Sequence, residues 1–135
     1  MTEPNSYRYS ATAEDTSVRI EGHSPDLRVT TPDNTSGFDS VTPEQLYAAA
    51  LAACVYQTLI ATASTGDHDL GECAVDARVQ LTHRGNQEFT LSAEVDVRLP
   101  RVQDRYARDT LALRAVERCP MAKSVEVRLV GSRTS

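Results

Sequence analysis

The amino-acid sequence predicts an α+β domain with an antiparallel sheet and a long buried central helix. Three observations predict it: stretches of alternating apolar and polar residues near the start, middle and end of the chain; an apolar run from Leu46 to Ala63 with a capping signal before it; and an amphipathic stretch from Val102 to Arg118 ahead of the last alternating segment. A chain of 135 residues, 40% hydrophobic and 24% charged, fits one globular domain spanning 1–135 with no internal linker.

The elements follow in order. Tyr7 to Ala13 alternates, and Ser17–Gly22 and Asp26–Thr31 flank a turn, so that Val18, Ile20, Leu27 and Val29 face the core of a hairpin with Arg19 and Arg28 on its other side. Pro32 to Ser40 collects Pro, Asn, Ser and Gly and reads as a loop. Thr42 as N-cap, Pro43 at the first helical position and Gln45 three residues after the cap form a helix-entry signal, with Glu44 at the positive end of the dipole. From Leu46 to Ala63 small and apolar residues cover every face, which predicts a helix buried on all sides and ended by Gly66.

Two long strands come next. Cys73, Val75, Ala77, Val79 and Leu81 alternate with polar partners, as do Phe89, Leu91, Ala93, Val95, Val97 and Leu99, and Arg84–Gln87 supplies turn chemistry for a second hairpin. Val102, Tyr106, Leu113 and Val116 then mark the apolar stripe of a helix that Pro120, directly after Cys119, must break. Ser124 to Val130 closes the chain as a strand burying Val125, Val127 and Leu129.

Charge and composition narrow the function. Nineteen acids against fourteen bases, with the bases scattered, disfavour nucleic acid and anionic membrane as partners. The N-terminus lacks a basic start followed by an apolar run, and Gln57 and Thr58 interrupt the longest apolar segment, so neither a secretory signal nor a membrane span is expected and the cytoplasm is the expected location. Three cysteines without an export signal do not suggest a disulfide framework. The wide spacing of Cys54, Cys73 and Cys119, with His23, His68 and His83 in or near turns, offers no metal-ligand pattern.

Cys73, at the start of a strand and on its apolar side, reads as an inert buried residue. Cys54 sits among Ala48, Ala49, Ala50, Ala52 and Ala53 and is either core filling or a thiol that another element can approach. A free thiol with a pKa near 8.5 is only about 3% ionised at pH 7. Cys54 lies twelve residues past Thr42, beyond the reach of the helix dipole. Lowering a thiol pKa by about 2.5 units takes about 3.4 kcal/mol, which one cation at about 4 Å supplies at an effective dielectric near 20. A nucleophilic Cys54 therefore calls for a neighbouring arginine or lysine. Cys119 is either a partly buried helix end or a sulfur presented to another element.

Taken together, "TPEQLYAAALAAC", the distant "RCPMAKS" and the intervening "VDARVQLTHRGNQEFTLSAEVDVRLP" resemble the OsmC/Ohr family of thiol-dependent organic hydroperoxide reductases over nearly the whole chain. The resemblance implies an OsmC-like fold in an intertwined homodimer. It also implies that Cys54 is the peroxidatic thiolate, which becomes a sulfenic acid, and that Cys119 is the resolving thiol, which closes a Cys54–Cys119 disulfide. A dithiol such as a lipoylated protein would reduce the pair, with no metal, flavin or haem required.

In the family a glutamate at the position of Glu44 orients the catalytic arginine. Glu44 and Cys54 are ten residues apart, about 15 Å along a helix, so Glu44 would serve the Cys54 of the partner subunit. Leu46, Leu51 and Val55 would form an apolar wall for an alkyl peroxide. The family arginine falls at Glu14 or Asn34 in this chain, which leaves Arg19 or Arg28 as the cation. The same departure motivates an alternative, an OsmC-like binding or redox-sensing module with little turnover. A thiol-transfer or acyl-type enzyme is disfavoured, because no histidine is placed as a base for Cys54.

Overall fold

The computed structural model describes residues 6–30, 40–66, 70–85, 88–123 and 126–134. The chain forms two compact units, residues 1–43 and 44–135. In the first, strands β1 (Ala11–Glu14), β2 (Ser17–Ile20), β3 (Leu27–Val29) and β4 (Ser40–Val41) form a sheet in that order. β2 and β3 pair antiparallel with Val18 opposite Leu27, which is the predicted hairpin, whereas Ile20 is exposed. Ser40, expected in a loop, opens β4, which runs parallel to β3. The rest of that expected loop, with Asn34, lies outside the described residues.

The second unit holds helix α1 (Pro43–Thr65, its first residue at the unit boundary), strands β5 (Ala74–Arg84) and β6 (Glu88–Arg98), helix α2 (Arg105–Arg118), a short 3-10 turn (Pro120–Lys123) and strand β7 (Glu126–Arg133). α1 begins at the Pro43 that the capping signal marks. Its burial is one-sided: Leu51, Val55, Leu59 and Ala63 are buried, while Ala49, Ala53, Tyr56, Ile60 and Ala61 are exposed. Within the chain the expected burial on all sides is met on one face only, because an all-apolar sequence carries no period to show which face the chain itself covers. α1 is long and apolar enough, by length and composition alone, to cross a membrane. Its buried face nevertheless belongs to the core of this unit, in one cluster with Val95, Val97, Leu99, Leu111 and Ala115.

β5 and β6 pair antiparallel along their whole length, from Ala74 opposite Arg98 to Arg84 opposite Glu88. Ala93, Val95, Val97 and Leu99 are buried as expected, but Phe89, near the start of β6, is exposed and stacks on His83 with centroids 4.5 Å apart. β7 pairs parallel to β6, so the sheet is mixed, as is that of the first unit. The purely antiparallel expectation fails because α2 returns the chain to the end of the sheet from which β6 started, and the next strand must run beside it in the same direction. Val125, expected to be buried in this strand, lies outside the described residues.

Asp104 caps α2, accepting from the Ala107 N–H at 3.0 Å. The buried stripe of α2 is Leu111, Ala112 and Ala115, while Tyr106 and Leu113, expected to face inward, are exposed. Two large side chains suggested the wrong face, and the alanines mark where the helix packs closely. α2 ends at Arg118, with Cys119 as its C-cap and Pro120 opening the 3-10 turn.

On the side of the sheet away from Val95 and Val97, Asp76 and Asp96 stand directly opposite each other, a repulsive pairing. Arg133 compensates, contacting Asp96 at 2.7 Å and Asp76 at 3.6 Å, while Arg98 holds Asp76 through two bonds at 2.9 and 3.2 Å. Asp96 is 6% exposed, so Arg133→Ala leaves its carboxylate without that partner. The variant is expected to lose about 1–3 kcal/mol of stability, read as a lower midpoint in urea unfolding, and a midpoint equal to wild type would count against the assigned role.

Candidate active site

The two cysteines singled out in the sequence meet in the second unit. α1 carries Cys54 midway along its length, and the broken end of α2 carries Cys119. The Cys119 thiol donates to the Cys54 sulfur at 2.8 Å, with both thiols free. Pro120 places Cys119 here, because it ends α2 and leaves the Cys119 N–H bonded back to the Ala115 and Val116 carbonyls at 3.1 and 3.3 Å.

The two sulfurs differ in environment. Cys54 is half-buried and packs against the edge of the core, whereas Cys119 is 0% exposed. A molecule arriving from solvent therefore meets Cys54 first. Burial pushes the Cys119 thiol above its ordinary pKa, and its bond to Cys54 adds to the effect, while the backbone around Met121 and Ala122 pulls the other way. The buried thiol is the proton donor of the pair and the accessible sulfur is its acceptor.

Tyr47, one of the residues that sequence reasoning missed, belongs to the same locale. Its hydroxyl donates to the Met121 carbonyl at 2.8 Å, tying α1 to the 3-10 turn after Cys119. Burial, followed by the neighbouring Cys119 and Cys54, raises the Tyr47 pKa and keeps its hydroxyl a donor. The available signal was its spacing: seven residues before Cys54 is two helical turns, hence the same face.

The bond between the two sulfurs involves none of the other expected site residues. Glu44 sits in the first turn of α1, and its Oε1 atom is buried with no hydrogen-bond partner among the described residues. Arg19 and Arg28 belong to β2 and β3 of the first unit. Leu51 and Val55 are fully buried in the core and Leu46 is half-buried. Cys73 packs against the core and lines a separate opening of about 470 Å³ with Tyr56, Glu72 and Arg98. Among the described residues no group of three or more His, Cys, Asp or Glu side chains is arranged to hold a metal ion.

A half-buried thiol backed by a wholly buried one, at the junction of a core helix and a proline-broken helix end, defines a dithiol site on an α+β fold. The family model for OsmC-like proteins matches residues 32–130, and the chain belongs to that family. Solved structures share its fold. An organic hydroperoxide resistance protein of Elizabethkingia anophelis superposes with a TM-score of 0.84 at 24% identity, covering 98% of this chain and 99% of its own. The organic hydroperoxide resistance protein OsmC of Legionella pneumophila gives 0.83 at 22% identity over 98% and 100% of the two chains. The organic hydroperoxide resistance protein OhrB of Bacillus subtilis gives 0.68 at 22% identity over 90% and 94%. No curated protein matches the chain.

Proposed function

We propose that this protein is a thiol-dependent peroxidase that reduces organic hydroperoxides to alcohols, an antioxidant activity. The observation that carries the reading is the Cys119-to-Cys54 contact at 2.8 Å, with Cys54 the accessible sulfur and Cys119 the buried donor. The Cys54 thiolate attacks the outer peroxide oxygen, the O–O bond breaks, and the alkoxide takes a proton and leaves as alcohol. Cys54 is then a sulfenic acid. Cys119 gives up its proton, its thiolate attacks the Cys54 sulfur, the S–O bond breaks, and the departing hydroxide takes up a proton and leaves as water, giving a Cys54–Cys119 disulfide. A dithiol, such as the dihydrolipoamide of a lipoylated protein, restores both thiols by exchange and is itself oxidised to a disulfide.

In this reading the working form is an intertwined homodimer in the cytoplasm. Support comes from the exposed apolar face of α1, with Tyr56 and Ile60 each about 40% exposed, and from β5, an edge of its sheet. The buried, unpartnered Oε1 of Glu44 fits a carboxylate whose cation arrives from outside its own helix. Arg19 or Arg28 would be that cation, and Leu46, Leu51 and Val55 the apolar backing of the alkyl group.

Turnover is tested with cumene hydroperoxide and hydrogen peroxide side by side, with dihydrolipoamide as reductant. A higher kcat/KM for the organic peroxide is expected. No turnover of either would favour the second reading, a binding or redox-sensing module, which the non-basic Glu14 and Asn34 at the family's arginine positions motivate.

A further inference from the structure

We infer that Tyr47 is a positioning residue for disulfide closure, holding the turn behind Cys119 so that the two sulfurs stay in register; this rests on the peroxidase reading and deepens it. Cys119 is the last residue before the 3-10 turn, and its carbonyl accepts from the Ala122 N–H at 3.1 Å. The turn is a short segment, and Met121 in it is exposed. The Tyr47 hydroxyl, 74 residues away in sequence, fastens this segment to α1 through the Met121 carbonyl. Tyr47 and Cys54 lie on the same face of α1, so one face of one helix presents the peroxidatic sulfur and anchors the segment that follows the resolving one.

Closing the disulfide brings the sulfurs from 2.8 Å to a bond of about 2.05 Å. With the turn already held, little ordering remains to be done at that moment. Without the hydroxyl, the ordering cost falls on the closing step. Burial raises the Tyr47 pKa, which keeps the phenol neutral and able to donate across the working pH range.

Tyr47→Phe keeps the ring and removes only the bond to Met121. After one equivalent of cumene hydroperoxide, the variant is expected to consume peroxide in its first turnover at the wild-type rate. It is expected to form the Cys54–Cys119 disulfide about five-fold more slowly, the equivalent of about 1 kcal/mol for one hydrogen bond, with more Cys54 sulfenic acid trapped by dimedone. The equilibrium constant for forming the same disulfide against oxidised dithiothreitol should fall by a similar factor. A wild-type closing rate and a wild-type exchange constant would overturn the inference, as would lowered thermal stability with an unchanged exchange constant, the mark of a purely structural role. The exchange arm needs no peroxide chemistry. If neither protein reacts with hydroperoxide, the peroxidase reading fails while the exchange constants still decide the role of Tyr47.

Discussion

Cys54→Ser is expected to abolish hydroperoxide turnover, lowering kcat/KM by more than about a thousand-fold. Serine is close to cysteine in volume, and Cys54 is only half-buried, so the fold should be kept. The chemistry is not kept: a serine hydroxyl does not ionise near neutral pH, and its oxygen cannot be oxidised by a peroxide as sulfur can. The companion variant Cys73→Ser should retain turnover, because Cys73 lies at a separate opening beside Glu72 and Arg98. Steady-state rates with cumene hydroperoxide check both, and undiminished turnover in Cys54→Ser would overturn the assignment of Cys54 as the nucleophile.

Cys119→Ser should separate the two halves of the cycle. Its first equivalent of peroxide is consumed normally, because Cys54 is intact and is the sulfur that solvent reaches. No intramolecular disulfide can follow, so a Cys54 sulfenic acid accumulates and excess peroxide carries it to the sulfinic state, ending turnover. Mass spectrometry reads these as one and then two added oxygens on the Cys54 peptide. In the wild type the same step should depend on pH. In the proposed cycle the attacking species would be the Cys119 thiolate, and burial raises the Cys119 pKa, so the thiolate fraction grows only at more alkaline pH than for an ordinary thiol. The rate of disulfide closure from the sulfenic acid should therefore still be climbing well above neutrality, as stopped-flow measurements across that range would show. A flat profile there would contradict the role given to burial.

Much of this architecture was legible in the residues themselves, and most of the failures share a cause. Thr42 and Pro43 announced α1, the alternation in Val75–Leu81 and Leu91–Leu99 announced the β5–β6 pair, and Pro120 announced the break that brings Cys119 to the site. Each is a local signal, complete within a few residues. The direction of β7, the buried face of α1 and the Tyr47–Met121 bond depend on what distant segments do, and no local pattern encodes them. The α2 stripe was misread for a different reason: Ala112 and Ala115 pack closest but carry the weakest hydrophobic signature, while Tyr106 and Leu113 carry a strong one on the outside. At the site, Cys54 and Cys119 were identifiable as a pair of motifs, whereas Tyr47, which fastens the turn after Cys119, was not.

The central claim is that Cys54 and Cys119 form one redox unit. Its most direct test is to treat the reduced protein with one equivalent of cumene hydroperoxide, with hydrogen peroxide in parallel, quench with an alkylating agent, and map the peptides by mass. A rapid loss of two hydrogens, located to a Cys54–Cys119 crosslink with Cys73 alkylated and forming faster with the organic peroxide, is the predicted result. Thiols still unmodified after minutes, or a crosslink through Cys73, would contradict it.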